Sequence, residues 1–221
     1  MEQKRLYLFA GHYGSGKTNI AVNYALHLAG EGKPVCIADL DIVNPYFRTA
    51  DSAKDLEEAG VKLVAPQFAN TNVDLPALPA EAYRLVTDTK TYGIMDIGGD
   101  DRGAYALGRY VPAILQENNY KMVYVANCYR PLTATPEDAL EVMREIEAAC
   151  SLKFTYIVNN SNLGSETTAD LVQDSFDYID KLSALSGLPV WMHTVRADIA
   201  PQLHTSCRKI FPLHLQQKLF Y

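Results

Sequence analysis

With 221 residues, 48% of them hydrophobic and 21% charged, the chain can bury one substantial core and lacks the bias of disordered or fibrous sequences. Its acidic excess, 26 Asp and Glu against 20 Lys and Arg for a net charge of −6, argues against a surface built throughout to track a phosphate backbone. A single domain over residues 1–221 is expected.

In chain order, short runs rich in Val, Ile, Tyr and Phe predict strands at Leu6–Ala10, Pro34–Asp39, Val61–Ala65, Gly93–Ile97, Lys121–Ala126, Phe154–Val158 and Pro189–Val195. Amphipathic stretches at Ile20–Ala29, Pro136–Ala149 and Thr167–Leu185 predict helices between them. This alternation implies βαβ units and a doubly wound, mainly parallel sheet. Several of the strands are apolar throughout, as expected where helices cover both faces. The stretch Asn70–Pro79 has the composition of a loop, and the tail Arg208–Tyr221, interrupted by Pro212, predicts a packed terminal helix rather than a membrane anchor.

Cys36, Cys128, Cys150 and Cys207 are scattered, with no C-x-x-C pair, and read as reduced thiols of a cytoplasmic protein. The apolar stretch Leu6–Ala10 is shorter than the core of a signal peptide, and no segment approaches the ~18 apolar residues of a membrane span.

Ligands of open parallel sheets bind beyond the C-terminal ends of the strands. The first strand runs into Gly11-His12-Tyr13-Gly14-Ser15-Gly16-Lys17-Thr18, a full G-x-x-x-x-G-K-[ST] match that Asn19 carries into a helical pattern. Gly14 and Gly16 let the backbone wrap a phosphate, Lys17 reaches β- and γ-oxygens, and Thr18 offers a hydroxyl to Mg²⁺. A dinucleotide fingerprint is the competitor, since Gly14-Ser15-Gly16 opens G-x-G and Asp39 ends the next strand. That pattern would need its third glycine at Asn19 and has no use for Lys17 and Thr18.

The second strand ends in Asp39-Leu40-Asp41-Ile42-Val43-Asn44-Pro45-Tyr46-Phe47-Arg48, where alternation lets Asp39 and Asp41 face the same way. The fourth ends in Asp96 followed by Gly98-Gly99-Asp100-Asp101-Arg102, an acid placed to hold Mg²⁺ with glycines permitting close approach to a γ-phosphate.

GHYGSGKT, ADLDIVNPYFRT and MDIGGDD, in that order, resemble the MinD/ParA/Mrp-type P-loop ATPases of the CobQ/CobB/MinD/ParA superfamily. The resemblance implies a P-loop NTPase that binds ATP and Mg²⁺, with Asp41 orienting the attacking water and Lys17 as the other catalytic residue. It places Asp39 and Asp96 beside the metal, Gly98 or Gly99 as the γ-phosphate sensor of a switch segment that includes Arg102, and Asn159 against adenine, with the register between Asn159 and Asn160 left open. A homodimer across the nucleotide face is a further implication. The family carries a second lysine after the first glycine of its loop, and His12 stands there.

Guanine recognition in related GTPases uses a Lys-x-Asp strand end whose carboxylate accepts from N1–H and N2–H₂. Asn127-Cys128-Tyr129-Arg130 and Asn159-Asn160-Ser161-Asn162 lack it, so adenine is preferred. Three function classes stay open: a nucleotide-driven switch acting on a partner, a small-molecule kinase, ligase or synthase whose pocket uses Tyr46, Arg48 and Arg102, and a binding module with negligible turnover. Nucleic-acid and membrane roles find little support.

Overall fold

The computed structural model describes residues 3–41, 49–64, 80–99, 101–205 and 207–215. Its strands are β1 (Leu6–Ala10), β2 (Val35–Leu40), β3 (Lys62–Val64), β4 (Tyr92–Ile97), β5 (Tyr120–Ala126), β6 (Tyr156–Asn159), β7 (Val190–Arg196) and β8 (Ile210–Leu213). Its helices are α1 (Lys17–Gly30), α2 (Ala53–Glu58), α3 (Arg84–Thr87), α4 (Asp101–Gly108), α5 (Val111–Glu117), α6 (Pro136–Cys150) and α7 (Ala169–Ser186). The eight strands form one sheet in the order β3-β2-β4-β1-β5-β6-β7-β8, and every pair is parallel.

Strand β1 shows why its sequence is apolar without alternation. Leu6, Leu8 and Ala10 face one core and Tyr7 and Phe9 the other, and all five are fully buried. The first core is closed by α3 to α7 through residues such as Leu85, Leu107, Ile114, Ile146 and Ile179; the second is closed by α1 and α2 through Ile20, Leu28 and Leu56. Burying a Leu or Ile side chain stabilises by ~1.5–3 kcal/mol, so these two layers dominate the favourable terms.

Local chemistry sets the helix ends. Thr135 caps α6 by accepting from the Asp138 N–H, Pro136 occupies the first turn, and Glu137 and Asp138 lie at the positive end of the helix dipole. Helix α7 starts on Thr168, whose hydroxyl accepts from the Leu171 N–H, and stops at Gly187, whose φ of 72° suits glycine.

All seven expected strands form, β1 with the bounds expected and the others with ends within two residues of them, while Ala65 lies outside the described residues. The tail departs from expectation. Residues 210–213 are an edge strand beside β7, where Pro212 is tolerated because an edge has a side needing no donor. Residues 216–221 lie outside the described residues, as do Asn70–Pro79, Tyr46 and Arg48. No helix among the described residues is long and apolar enough to cross a membrane.

Candidate functional site

Four of the elements just described converge at one end of the sheet. The loop between β1 and α1 turns through Gly11, Gly14 and Gly16, with φ of 155°, 74° and 88°. A Cβ at Gly16 would lie 2.2 Å from the Asn160 amide nitrogen, so only glycine fits. Gly16 is also the cap residue of α1; no side chain caps that end and its first turn carries no acid, a polarity that suits an anion. Inside the loop the Ser15 N–H donates to the His12 carbonyl at 3.1 Å, and the Lys17 ammonium reaches back to the same carbonyl at 3.4 Å. His12 Nδ1 donates to the Tyr13 carbonyl at 2.9 Å, and the Tyr13 side chain is 52% exposed.

Strands β2 and β4 deliver the acids. Asp39 and Asp96 are register partners in that pair, and both are buried. Burial, then the charge of Asp96, raises the Asp39 pKa above the ordinary carboxylate range, against the opposing N–H bonds from Asp41 and Thr49. Asp96 is raised first by burial too, while the Lys17 ammonium and the Thr18 hydroxyl pull the other way. The Thr49 hydroxyl donates to Asp96 Oδ2 at 3.3 Å, and the other carboxylate oxygen, Oδ1, is buried without a hydrogen-bond partner. The half-buried Asp41 donates its backbone N–H to Asp39 Oδ1 at 2.9 Å, and its charge acts on both buried acids.

Two buried carboxylates, an orphaned oxygen and an adjacent Thr18 hydroxyl form a hard oxygen donor set. Such a set suits Mg²⁺, which keeps several waters and takes few protein ligands. Among the described residues no cluster of three His, Cys, Asp or Glu side chains exists to hold a metal without other donors. An ion here would therefore rely on water or phosphate oxygens as well.

Of the glycines after β4, Gly99 touches the loop. A Cβ at Gly99 would lie 2.7 Å from the Tyr13 nitrogen and 2.9 Å from Lys17 Nζ, and one at Gly103 would lie 2.5 Å from the Gly98 Cα. Gly99 is thus packed against Tyr13 and Lys17 of the glycine loop, and Gly98 against Gly103 of α4. The Arg102 side chain lies outside what is described.

A cavity of about 260 Å³ opens beside the loop, lined by Gly16, Lys17, Asn19, Arg130, Asn160 and Arg196 among others. The candidate base contact Asn159 does not line it. Its amide nitrogen donates to Ser175 at 2.8 Å and to His193 at 3.2 Å, and its oxygen accepts from the Ser161 N–H at 3.1 Å, all on the α7 side of the sheet. Asn160 faces the loop instead: its Nδ2 donates to the Ser15 carbonyl at 2.6 Å and its Oδ1 accepts from the Thr194 hydroxyl at 2.7 Å. Sequence reasoning missed Arg130, Thr49 and Thr194. Arg130 closes the strand end Asn127-Cys128-Tyr129-Arg130, whose sequence lacks Lys-x-Asp and carries no other nucleotide signature.

No protein-family model matches the chain, and no curated protein matches it. Solved structures do match. The cell division protein FtsY of Thermotoga maritima superposes with a TM-score of 0.58 at 19% identity, over 88% of this chain and 62% of that one. FtsY of Elizabethkingia anophelis in complex with GDP gives 0.55 at 18% over 88% and 58%. The signal recognition particle 54 kDa protein of Aeropyrum pernix K1, also in complex with GDP, gives 0.55 at 16% over 87% and 41%. The chain spans less than two thirds of each. These proteins, two of them in complex with GDP, belong to a different branch from the MinD/ParA type that the motifs resemble, so the likeness does not support that family for this chain. At such identity the likeness establishes the fold, which is that of the P-loop NTPases.

Proposed function

We propose that the protein is a Mg²⁺-dependent ATPase of MinD/ParA-like type, a nucleotide-driven switch acting on a partner. The observation that carries this is the convergence of Lys17 and Thr18 on Asp96, whose buried Oδ1 has no hydrogen-bond partner. Beside it stands a second raised acid, Asp39. Such an arrangement is costly unless a cation and an anion complete it.

In this reading the Gly14 to Thr18 backbone binds the phosphates, and Lys17 leaves the His12 carbonyl for the β- and γ-oxygens. Thr18, Asp39 and Asp96 hold Mg²⁺, which when bound neutralises charge on those oxygens. Asp41 orients the attacking water, and Gly99, packed on Tyr13 and Lys17, couples the presence of a γ-phosphate to the segment leading into α4. Positioning and charge supply most of the catalysis in phosphoryl transfer.

The structural neighbours that hold GDP bear on the choice of base. Against guanine, no described residue lining the cavity is Asp or Glu, and a carboxylate is what guanine's N1–H and N2–H₂ call for. This supports adenine. Exposed Tyr13 and half-buried His12 lie on the nucleotide face, where a second copy of the chain would meet them.

The test is ATP and GTP turnover with and without Mg²⁺, with mass recorded by light scattering. Mg²⁺-dependent ATP hydrolysis with an ATP-dependent change of mass supports the reading. Preference for GTP would move the protein to the other branch, and failure to bind either nucleotide would overturn it.

A further inference from the structure

Arg130 lies on the connection between β5 and α6, and its backbone is fixed from below by the fully buried Asn127. The Asn127 carbonyl accepts from the Arg130 N–H at 3.3 Å and from the Thr133 hydroxyl at 2.8 Å, and Asn127 Oδ1 accepts from the Tyr129 N–H at 3.0 Å. The Arg130 carbonyl in turn accepts from the Thr133 N–H at 3.0 Å. From this platform the side chain crosses to the phosphate loop, where Nε donates to the Gly14 carbonyl at 2.9 Å. A Cβ at Gly14 would lie 3.4 Å from Nε and 3.8 Å from Cζ, so the guanidinium lies against the loop at a glycine.

The rest of the guanidinium is uncommitted. Arg5, Arg196 and Arg208 each pair with a carboxylate, of Glu117, Asp198 and Asp180. Arg130 has no acidic partner among the described residues, and its two terminal nitrogens make no hydrogen bond to them. It lines the same cavity as Lys17 and Asn19. A guanidinium with one donor spent on a loop carbonyl and a fork left open suits phosphate oxygens, which accept such forks in pairs.

Resting on the nucleotide-binding reading above, we propose that Arg130 is a second cation of the phosphate site, holding the loop through Gly14 while its free nitrogens bind the polyphosphate from within the same chain. It supplies a fixed positive charge at a loop that carries His12 where the resembled family has a second lysine.

Calorimetry with Mg²⁺ and a non-hydrolysable ATP analogue tests this on the parent, Arg130→Ala and Arg130→Lys, with adenosine measured by displacement of a fluorescent nucleotide. If the parent prefers GTP, the guanosine series is used. Arg130→Ala should weaken the triphosphate analogue roughly 10- to 100-fold, as expected for a charge-assisted hydrogen bond, and leave the nucleoside unchanged. Arg130→Lys should recover part of the loss, because it restores charge without the fork. Parent-like triphosphate affinity in Arg130→Ala overturns the proposal, as does an equal loss for nucleoside and triphosphate, which would make Arg130 a structural brace alone. A parent that binds no nucleotide would defeat the nucleotide-binding reading itself, an outcome distinct from a binding parent with an indifferent Arg130 variant.

Discussion

The amide of Asn160 donates to the carbonyl of Ser15 at 2.6 Å, tying the end of β6 to the middle of the phosphate loop. The same side chain accepts from Thr194 on β7, so three distant segments meet on one buried residue. Asn160→Ala should leave the Ser15 carbonyl and the Thr194 hydroxyl short of a partner and destabilise the fold by about 1–3 kcal/mol. It should also speed amide exchange in residues 12–16. Thermal melts and hydrogen exchange check both, and unchanged exchange in the loop would remove the brace from the account.

Lys17→Ala should fold normally and lose most of its affinity for ATP. The buried ammonium stands at the start of α1, donates to the His12 carbonyl at 3.4 Å and offsets the charge of buried Asp96, so thermal melting is measured beside affinity to confirm that the variant is folded. Its phosphate contact is of the charge-assisted kind, and a loss of at least ~10-fold is expected by calorimetry. Parent-like affinity in a folded variant would remove the phosphate-loop assignment.

Asp41→Asn should bind ATP and Mg²⁺ about as well as the parent while hydrolysing roughly 10²- to 10⁴-fold more slowly, the range typical of losing a group that positions or deprotonates a nucleophile. Asp39→Asn should instead raise the Mg²⁺ concentration needed for half-maximal nucleotide binding. Single-turnover rates and Mg²⁺ titrations separate the two roles, and swapped results would exchange the assignments.

His12→Lys should accelerate turnover that is slow in the parent. Histidine is shorter than lysine and is not a fixed cation, so it stabilises developing phosphate charge less. Turnover and mass are measured together, because the lysine of the resembled family acts across a dimer. Rapid turnover in the parent that this substitution leaves unaltered would set the idea aside.

His193 makes stability pH-dependent away from the phosphates. Its ring packs at 4.7 Å on Phe176, Asn159 donates to Nδ1, and Arg208 lies 3.5 Å from Nε2. Burial first, then the Arg208 charge, lowers its pKa from 6.5 to about 4, with Asp180 opposing. Between those values the unfolded chain binds more protons at this site than the folded one. The contribution is therefore complete above pH 6.5 and is lost as the pH falls towards 4. The parent should lose on the order of 1–2 kcal/mol more between pH 7 and 5 than His193→Gln does. Equal pH slopes in the two melting series would contradict the assignment.

Local order along the chain determined much of this protein. Each strand that ends in a glycine loop or an acid could be read directly, because a two-residue side-chain period and a fixed phosphate-loop spacing are properties of neighbouring residues. Lys17, Thr18, Asp39 and Asp96 were named on that basis, and the sheet's parallel character followed from alternation of strand and helix patterns. Tertiary structure decided what depends on which face is which. Ile157 and Asn159 share the α7 side of β6, while Val158 and Asn160 share the side covered by α1, so the phosphate loop meets Asn160 and not its neighbour. The sequence holds both asparagines and nothing that states where α1 packs. The pairing of Asp39 with Asp96, the reach of Arg130 to Gly14 and the seating of residues 210–213 on β7 share that origin. Each joins segments distant in the chain, and the global packing of apolar faces, rather than local propensity, brings them within contact.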